Sequence, residues 1–346
     1  MNEQISLKVQ EYYGEVLQSN KDIKTSACCQ LDSVPAHLRP LITNIHPEVR
    51  SKSYGCGSPI PYCLQGKTAL DLGCGTGIDV YTMSQLVGND GKVIGVDMTE
   101  NQLNVANQYI DYHMKKFGFE KPNVTFHFGK IEELKSLGIE DNSIDVITSN
   151  CVINLSANKE AVFKEIFRVL KPGGELYFSD VFSTRRVPEH LADDTVILGE
   201  CLGGAMYLED FRRTINKIGC ADFRITSQSA ISIDDPEIFK KVGMINFCSM
   251  TIRAFKCDFE DICENYGHVA YYLGTIPEAP HSFILDDHHE FKTGMPVPVC
   301  GNTAIMLSET RFTEHFRVEG DFSTHFGAFE CNPNSLNHDA KLASCC

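Results

Sequence analysis

The chain has 346 residues, too many for one small domain. Its 42% hydrophobic and 22% charged residues exclude a disordered chain and fit packed globular units. With 31 Lys and Arg against 46 Asp and Glu the formal charge is −15, which argues against a nucleic-acid partner: phosphate backbones are repelled, and no run of basic residues could form a local groove.

The opening MNEQISLKVQEYYGEVL lacks the apolar core of a signal peptide, and no stretch approaches the roughly 20 apolar residues that span a bilayer. A soluble cytoplasmic monomer without membrane attachment is therefore expected. Residues 4–18 place Ile5, Val9, Tyr12, Tyr13, Val16 and Leu17 at helical spacing, which predicts an amphipathic helix. A segment from Cys28 to Pro61 follows, with a helix expected near Pro35–Val49 and a Tyr54-Gly55-Cys56-Gly57 turn. From Thr68 to about Asp180, strands (TALDL, KVIGVD, VTFHFG, IDVITSN, ELYFSD) alternate with helical stretches at Thr99–Phe117 and Lys159–Leu170. That alternation predicts an α/β fold, a Rossmann-like parallel sheet with helices on both faces. Residues 183–265 mix helical and extended pieces, and the tail from 266 holds Pro277, Pro280, Pro296 and Pro298 among short β-rich runs.

Fifteen cysteines are present. In a reducing compartment they do not build a permanent disulfide framework, so each is either a small buried hydrophobe or part of a thiolate site. The pairs Cys28-Cys29 and Cys345-Cys346 stand in polar surroundings, where packing is a less natural role. The twelve histidines, including His288-His289, show no metal-ligand spacing and are expected at the surface.

Asp71-Leu72-Gly73-Cys74-Gly75-Thr76-Gly77 lies between a strand and a helix. Glycines there let the backbone turn sharply against a ligand. Dinucleotide sites use a similar turn, but their spacing is G-x-G-x-x-G, and Asp71 would be poorly placed beside a pyrophosphate. A carboxylate at 71 suits the cationic amino end of a methionine moiety. Asp97, at the end of the next strand, can accept bonds from both ribose hydroxyls, and Ile131-Glu132 can flank adenine. Cys74 reads as incidental. Together these features resemble the class I methyltransferases over roughly residues 66–182, which implies S-adenosylmethionine as cofactor.

The fourth strand delivers Asn150 and Cys151 to the edge where an open parallel sheet binds ligands. Cys56 precedes the first strand, and Cys201 sits in GECLGGA just past the core. Three convergent thiolates fit a soft pyramidal ion such as As(III) better than tetrahedral zinc. A small-molecule C- or O-methyltransferase (quinone or sterol type) would not need these cysteines. A thiol-based arsenic-binding protein without enzymatic activity would not need the ordered set Asp71, Gly73, Gly75, Gly77 and Asp97.

YYG (12–14), YGCG (54–57), DLGCGTG, GVDMT (95–99), SNCVINL (149–155), LKPGGELYFSD (170–180) and GECLGGA (199–205) resemble the arsenite methyltransferase family, and the likeness continues more loosely to RFTEHF (311–316). The resemblance implies that arsenite and methylated arsenicals are substrates bound by Cys56, Cys151 and Cys201. Cys28 or Cys29 would be a fourth, redox-active cysteine. A disulfide such as Cys28–Cys56 would re-reduce the product, and thioredoxin or glutathione would restore the thiols. The expected cofactor contacts are Tyr54, Asp71, Gly73, Gly75, Gly77, Asp97, Met98, Gln102, Ile131, Glu132 and Asn150. The expected organisation is a capping segment (1–65), a cofactor domain (66–182), an arsenite-binding domain (183–265) and a C-terminal domain (266–346).

Overall fold

The structure, a computed structural model, describes residues 34–52 and 57–330. The helix expected over 4–18, Tyr54, Cys28, Cys29, Cys56, Cys345 and Cys346 lie outside the described residues.

Two short helices, α1 (Arg39–Thr43) and α2 (Pro47–Ser51), come first. They replace the single helix expected over 35–49, because the residue before Pro47 is driven out of helical backbone: His46 has φ −54° and ψ 137°. Then follow β1 (Thr68–Leu72), α3 (Ile78–Val87), β2 (Lys92–Asp97), α4 (Glu100–Gln108), α5 (Ile110–Phe117), β3 (Val124–Phe128), β4 (Ile144–Asn150), α6 (Lys159–Val169) and β5 (Leu170–Ser183). The helix expected over 99–117 is broken at Tyr109, which ends α4 and begins α5. The break is held by side chains: Tyr109 stacks on His46 at 3.7 Å and donates to Glu48 Oε2 at 2.5 Å.

The chain continues through α7 (Thr195–Gly199), β6 (Met206–Tyr207), α8 (Leu208–Lys217), β7 (Arg224–Ala230), α9 (Pro236–Val242) and β8 (Phe247–Phe255). The sheet runs β3-β2-β1-β4-β5-β8-β7, with β6 paired to β5. Pairing is parallel from β3 to β5, and β8 runs antiparallel between β5 and β7. This is the expected Rossmann-like fold. The divide expected near residue 182 falls inside the sheet, since β8 pairs with β5 over nine residues from Glu175 to Ser183. The reason is burial: eight of the nine residues of β8 are buried, so it needs partners on both sides.

The order in which strands are added reverses between β1 and β4, with β2 and β3 to one side and β4 and β5 to the other. A ligand crevice forms outside the carboxyl ends of the strands at such a point. The last unit contains β9 (Val269–Tyr272), the hairpin β10 (Ser282–Ile284) and β11 (Glu290–Lys292), β12 (Pro296–Pro298), α10 (Gly301–Ser308) and β13 (Phe316–Glu319). Its three-stranded sheet runs β12-β9-β13. Pro296 and Pro298 sit in an edge strand, where a missing N–H is tolerated. A buried charge triad ties this unit to the large sheet: Glu175 on β5 pairs with Arg253 on β8 (2.8 Å) and with Arg311. Gly173 lies close to it as well, since a Cβ there would come 2.5 Å from the carbonyl oxygen of Glu309.

The histidines do not all lie at the surface. His113 and His268 are buried, and His289 binds Asp286 through Nδ1 at 2.8 Å. No helix of the described residues is long and apolar enough to cross a membrane.

Candidate active site

The turn after β1 explains its glycines. Gly73, Gly75 and Gly77 have φ of 71°, 52° and 87°, a left-handed backbone that costs a side-chain-bearing residue roughly 1–2 kcal/mol. Space is also absent at Gly73, where a Cβ would lie 2.4 Å from both methyls of Val152. The turn is pinned to β2 because the N–H groups of Gly73 and Cys74 both donate to the Val96 carbonyl, at 2.7 and 3.0 Å. Cys74 itself packs in the core beneath α3.

Three carboxylates converge on this turn. Asp71 is buried at the end of β1 and accepts from Thr148 Oγ1 at 2.8 Å. Burial first, and then the charge of Asp79, hold its carboxyl well above the ordinary range. Asp79, in the first turn of α3, is pushed up to about 6 by burial and accepts from Asn150 Nδ2 at 3.3 Å. Asn150 also donates to the Gly57 carbonyl at 2.8 Å, tying the end of β4 to the chain ahead of β1. Asp71 is buried and Asp79 half-buried, and two neighbouring carboxylates repel, so the corner favours positive charge. Asp97 accepts from Gly75 N and Thr99 N, both at 2.8 Å, and burial raises its pKa. These bonds hold it at the rim of the turn, and each carboxylate oxygen has a second lone pair to offer. Ile131 is buried near the end of β3, and Glu132 accepts from Ser156 Oγ. Gln102 approaches the turn, with Oε1 4.0 Å from where a Cβ of Gly75 would be. Met98 packs against the cluster that contains Cys151 and Cys201.

That cluster is the second half of the site. Cys151 follows β4 directly and donates its N–H to the Ser179 carbonyl at 2.8 Å. The Cys201 thiol donates to the Cys151 carbonyl at 3.3 Å, so two residues fifty apart in sequence meet. Both are buried, and both have left-handed backbone, with φ of 57° and 61°. Such strain, roughly 1–3 kcal/mol per residue, persists only where the surroundings enforce it, and it gathers at functional sites. Here the enforcement is a close backbone crossing: a Cβ on Gly204 would lie 2.0 Å from the Asn154 carbonyl oxygen. Cys201 carries a thiol, whereas Cys151 is held in a disulfide.

Asp180, at the end of the parallel stretch of β5, joins the cysteines. The ligand atoms of Cys151, Asp180 and Cys201 lie within 4.8 Å of one another, all buried. Asp180 accepts from the N–H and Nδ2 of Asn154 (3.1 and 2.7 Å) and from the N–H of Val181 (2.8 Å), and burial pushes its pKa up to about 7. Lys159 lies half-buried nearby. Burial lowers its pKa, while the charges of Asp180, Cys201 and Glu132 raise it. The structure thus brings together Asp71, the three glycines, Asp97 and Asn150 on one side, and Cys151 with Cys201 on the other. Asp79, Asn154, Lys159 and Asp180 were not singled out from the sequence. Only the short distance from Asp71 to Asp79, one turn into the helix after the glycines, could have flagged one of them.

Comparison with known proteins covers both halves. Residues 64–229 match a family model described as a methyltransferase domain, and residues 266–340 match an arsenite methyltransferase C-terminal domain. The chain is similar to an arsenite methyltransferase of Aquipseudomonas alcaligenes, 52% identical over 98% of this chain and 99% of that protein. It is 43% identical to an arsenite methyltransferase of Mus musculus, over 91% of this chain and 83% of the relative. Its fold is similar to the crystal structure of an arsenic(III) S-adenosylmethionine methyltransferase from Chlamydomonas reinhardtii, with a TM-score of 0.83 and 46% identity, covering 86% of this chain and 99% of the other.

Proposed function

The chain belongs to the arsenite methyltransferase family, and from that premise we propose that it transfers the methyl group of S-adenosylmethionine to trivalent arsenic held by Cys151, Cys201 and Cys56. The observation that carries this reading is the meeting of Cys151 and Cys201, both strained and buried, beside the cofactor turn.

Asp71 and Asp79 hold the ammonium of the methionine moiety, and Asp97 takes the ribose hydroxyls. Ile131 and Glu132 flank the adenine, with Tyr54, Met98, Gln102 and Asn150 completing the pocket. These assignments rest on the carboxylates at the turn and on the family resemblance. The As(III) lone pair attacks the sulfonium methyl in line. The As–C bond forms as the S–CH3 bond breaks, and the sulfonium becomes a neutral thioether. Arsenic supplies the electron pair, so no general base is needed, and the protein contributes alignment and exclusion of water.

Methylation leaves arsenic two electrons poorer. Closure of a disulfide between two site cysteines, such as Cys28 or Cys29 with Cys56, returns those electrons. Thioredoxin or glutathione then restores the thiols by exchange. Cys151 is disulfide-bonded, and that bond must be reduced before Cys151 can bind arsenic. Conversion of arsenite to methylated arsenicals would serve arsenic detoxification.

The site assignment is tested by arsenite binding to the fully reduced protein. Cys151→Ser and Cys201→Ser should each lose tight binding while retaining S-adenosylhomocysteine binding. Unchanged arsenite affinity in both variants would remove the thiolate site. Cys28→Ser and Cys29→Ser should weaken a second methylation more than the first, and equal loss of both steps would contradict the relay.

A further inference from the structure

A carboxylate stands beside the two cysteines, where packing alone would favour an apolar side chain. β4 and β5 pair with Asn150 opposite Ser179, so Cys151 and Asp180 are the next residues along two adjacent strands. The Cys151 N–H donates to the Ser179 carbonyl at 2.8 Å, which carries that register one step past the end of β4. Asp180 is fully buried. Its Oδ1 accepts from Asn154 Nδ2 at 2.7 Å and from the Val181 N–H at 2.8 Å, and its Oδ2 accepts from the Asn154 N–H at 3.1 Å. An ionised carboxylate offers about four lone-pair sites, so among the described residues Oδ2 keeps one to offer. The ligand atoms of Cys151, Asp180 and Cys201 lie within 4.8 Å of one another, so whatever both sulfurs hold lies against this carboxylate. A buried acceptor gains most from a ligand that brings it a donor.

Arsenite carries three hydroxyls in neutral water. Two thiols displace two of them: two S–H and two As–O bonds break, two As–S bonds form, and two waters leave. One hydroxyl stays on arsenic. We propose that Asp180 is the substrate-binding residue for that hydroxyl, which donates its O–H to Oδ2 while Cys151 and Cys201 hold the arsenic. The inference rests on the assignment of arsenic to these two cysteines. The hydrogen bond leaves the proton on the hydroxyl. When the Cys56 thiol displaces it, the As–O bond breaks, an As–S bond forms, and the thiol proton leaves with the hydroxyl as water. Methylarsenite has a methyl group where arsenite has its third hydroxyl. Its two-thiolate complex brings Oδ2 no donor. Asp180 therefore favours arsenite over methylarsenite by one charge-assisted hydrogen bond.

The test uses the full-length reduced protein with methyl-labelled S-adenosylmethionine and compares kcat/KM for arsenite with kcat/KM for methylarsenite. Asp180→Asn keeps an oxygen for Asn154 Nδ2 and the Val181 N–H and removes the charge that meets the hydroxyl. The expected result is a loss of roughly tenfold or more on arsenite and of at most about twofold on methylarsenite. Asp180→Ala should show the same selective loss, and an unchanged Kd for S-adenosylhomocysteine shows that each variant is folded. Asn154→Ala loosens the loop but keeps the carboxylate, and should weaken both substrates alike. Equal loss on both arsenicals in the two Asp180 variants would make the residue structural and overturn the proposal. Wild-type selectivity in both would overturn it as well, while leaving arsenic as the substrate. A wild-type protein that labels neither arsenical would reject the arsenic reading and this proposal with it.

Discussion

Gly204→Ala should separate Cys201 from Cys151 without touching the cofactor pocket. The new methyl would be placed 2.0 Å from the Asn154 carbonyl oxygen and 3.0 Å from its carbon. Real Cβ contacts begin near 3.0 Å, so the strands of chain must part by 3.0 − 2.0 = 1.0 Å. Asn154 is the immobile partner, because its N–H and Nδ2 are bound to Asp180 and Nδ2 also donates to the Val181 carbonyl at 2.6 Å. The segment that gives way is therefore the one bearing Cys201, three residues upstream. The 3.3 Å contact from Cys201 to the Cys151 carbonyl would stretch by a comparable amount. Overpacking of this kind costs about 1–3 kcal/mol of stability. A displacement of about 1 Å between reacting groups costs roughly a hundredfold in rate. The assay compares kcat/KM for arsenite with the Kd for S-adenosylhomocysteine from calorimetry. The expected result is about a hundredfold loss in the first and no change in the second. Wild-type turnover in a folded Gly204→Ala protein would refute it, as would parallel loss of both.

Asp97→Asn replaces an acceptor of two backbone N–H bonds and of the expected ribose hydroxyls with an amide. Hydrogen bonds to a charged acceptor contribute about 1.5–3 kcal/mol, so the Kd for S-adenosylhomocysteine should rise at least about tenfold by calorimetry; an unchanged Kd would remove Asp97 from the pocket. His113 sits neutral in the core, with Nε2 accepting from the His46 N–H at 3.1 Å and Nδ1 2.7 Å from the Tyr109 carbonyl. A second proton would confront the His46 N–H, and burial pushes the pKa down to about 4. A depressed histidine contributes stability that is present above its unfolded pKa of about 6.5 and is lost as pH falls toward 4. Linkage gives about 2 kcal/mol lost at pH 5. In urea titrations the stability gap between wild type and His113→Gln should shrink by about that amount from pH 7.5 to 5, and a constant gap would refute the assignment. Arg311→Met leaves one lobe of the buried Glu175 carboxylate without its cation and should cost about 3–5 kcal/mol in denaturant, far more than an exposed pair such as Lys164–Glu160; a loss below about 1 kcal/mol would show the triad to be replaceable.

The cofactor half was legible because each of its parts is local. Five apolar strands between Thr68 and Asp180, three glycines in one turn and two acidic residues at strand ends follow directly from backbone and side-chain chemistry. The broken helix at Tyr109 was hidden, because its cause is a stack with His46, sixty-three positions away. β7 was equally hard to place, since RITSQSA is an exposed edge strand whose polar face gives no apolar run. Cys151 and Cys201 could be named from their neighbours, but their contact depends on a glycine crossing that no spacing records. Asp79 and Asp180 were overlooked because a carboxylate in a first helical turn or at a strand end usually faces water, and only packing reveals that Asp180 is buried and Asp79 half-buried.

The central claim is that one site joins a sulfonium methyl to arsenic held on sulfur. The most direct measurement incubates the reduced protein with arsenite, a thiol reductant and methyl-labelled S-adenosylmethionine, then separates the arsenic species. Label is expected in methylated arsenicals and is expected to be lost in Cys151→Ser and in Cys201→Ser. Consumption of the cofactor with no label on arsenic, or full labelling by both variants, would contradict it.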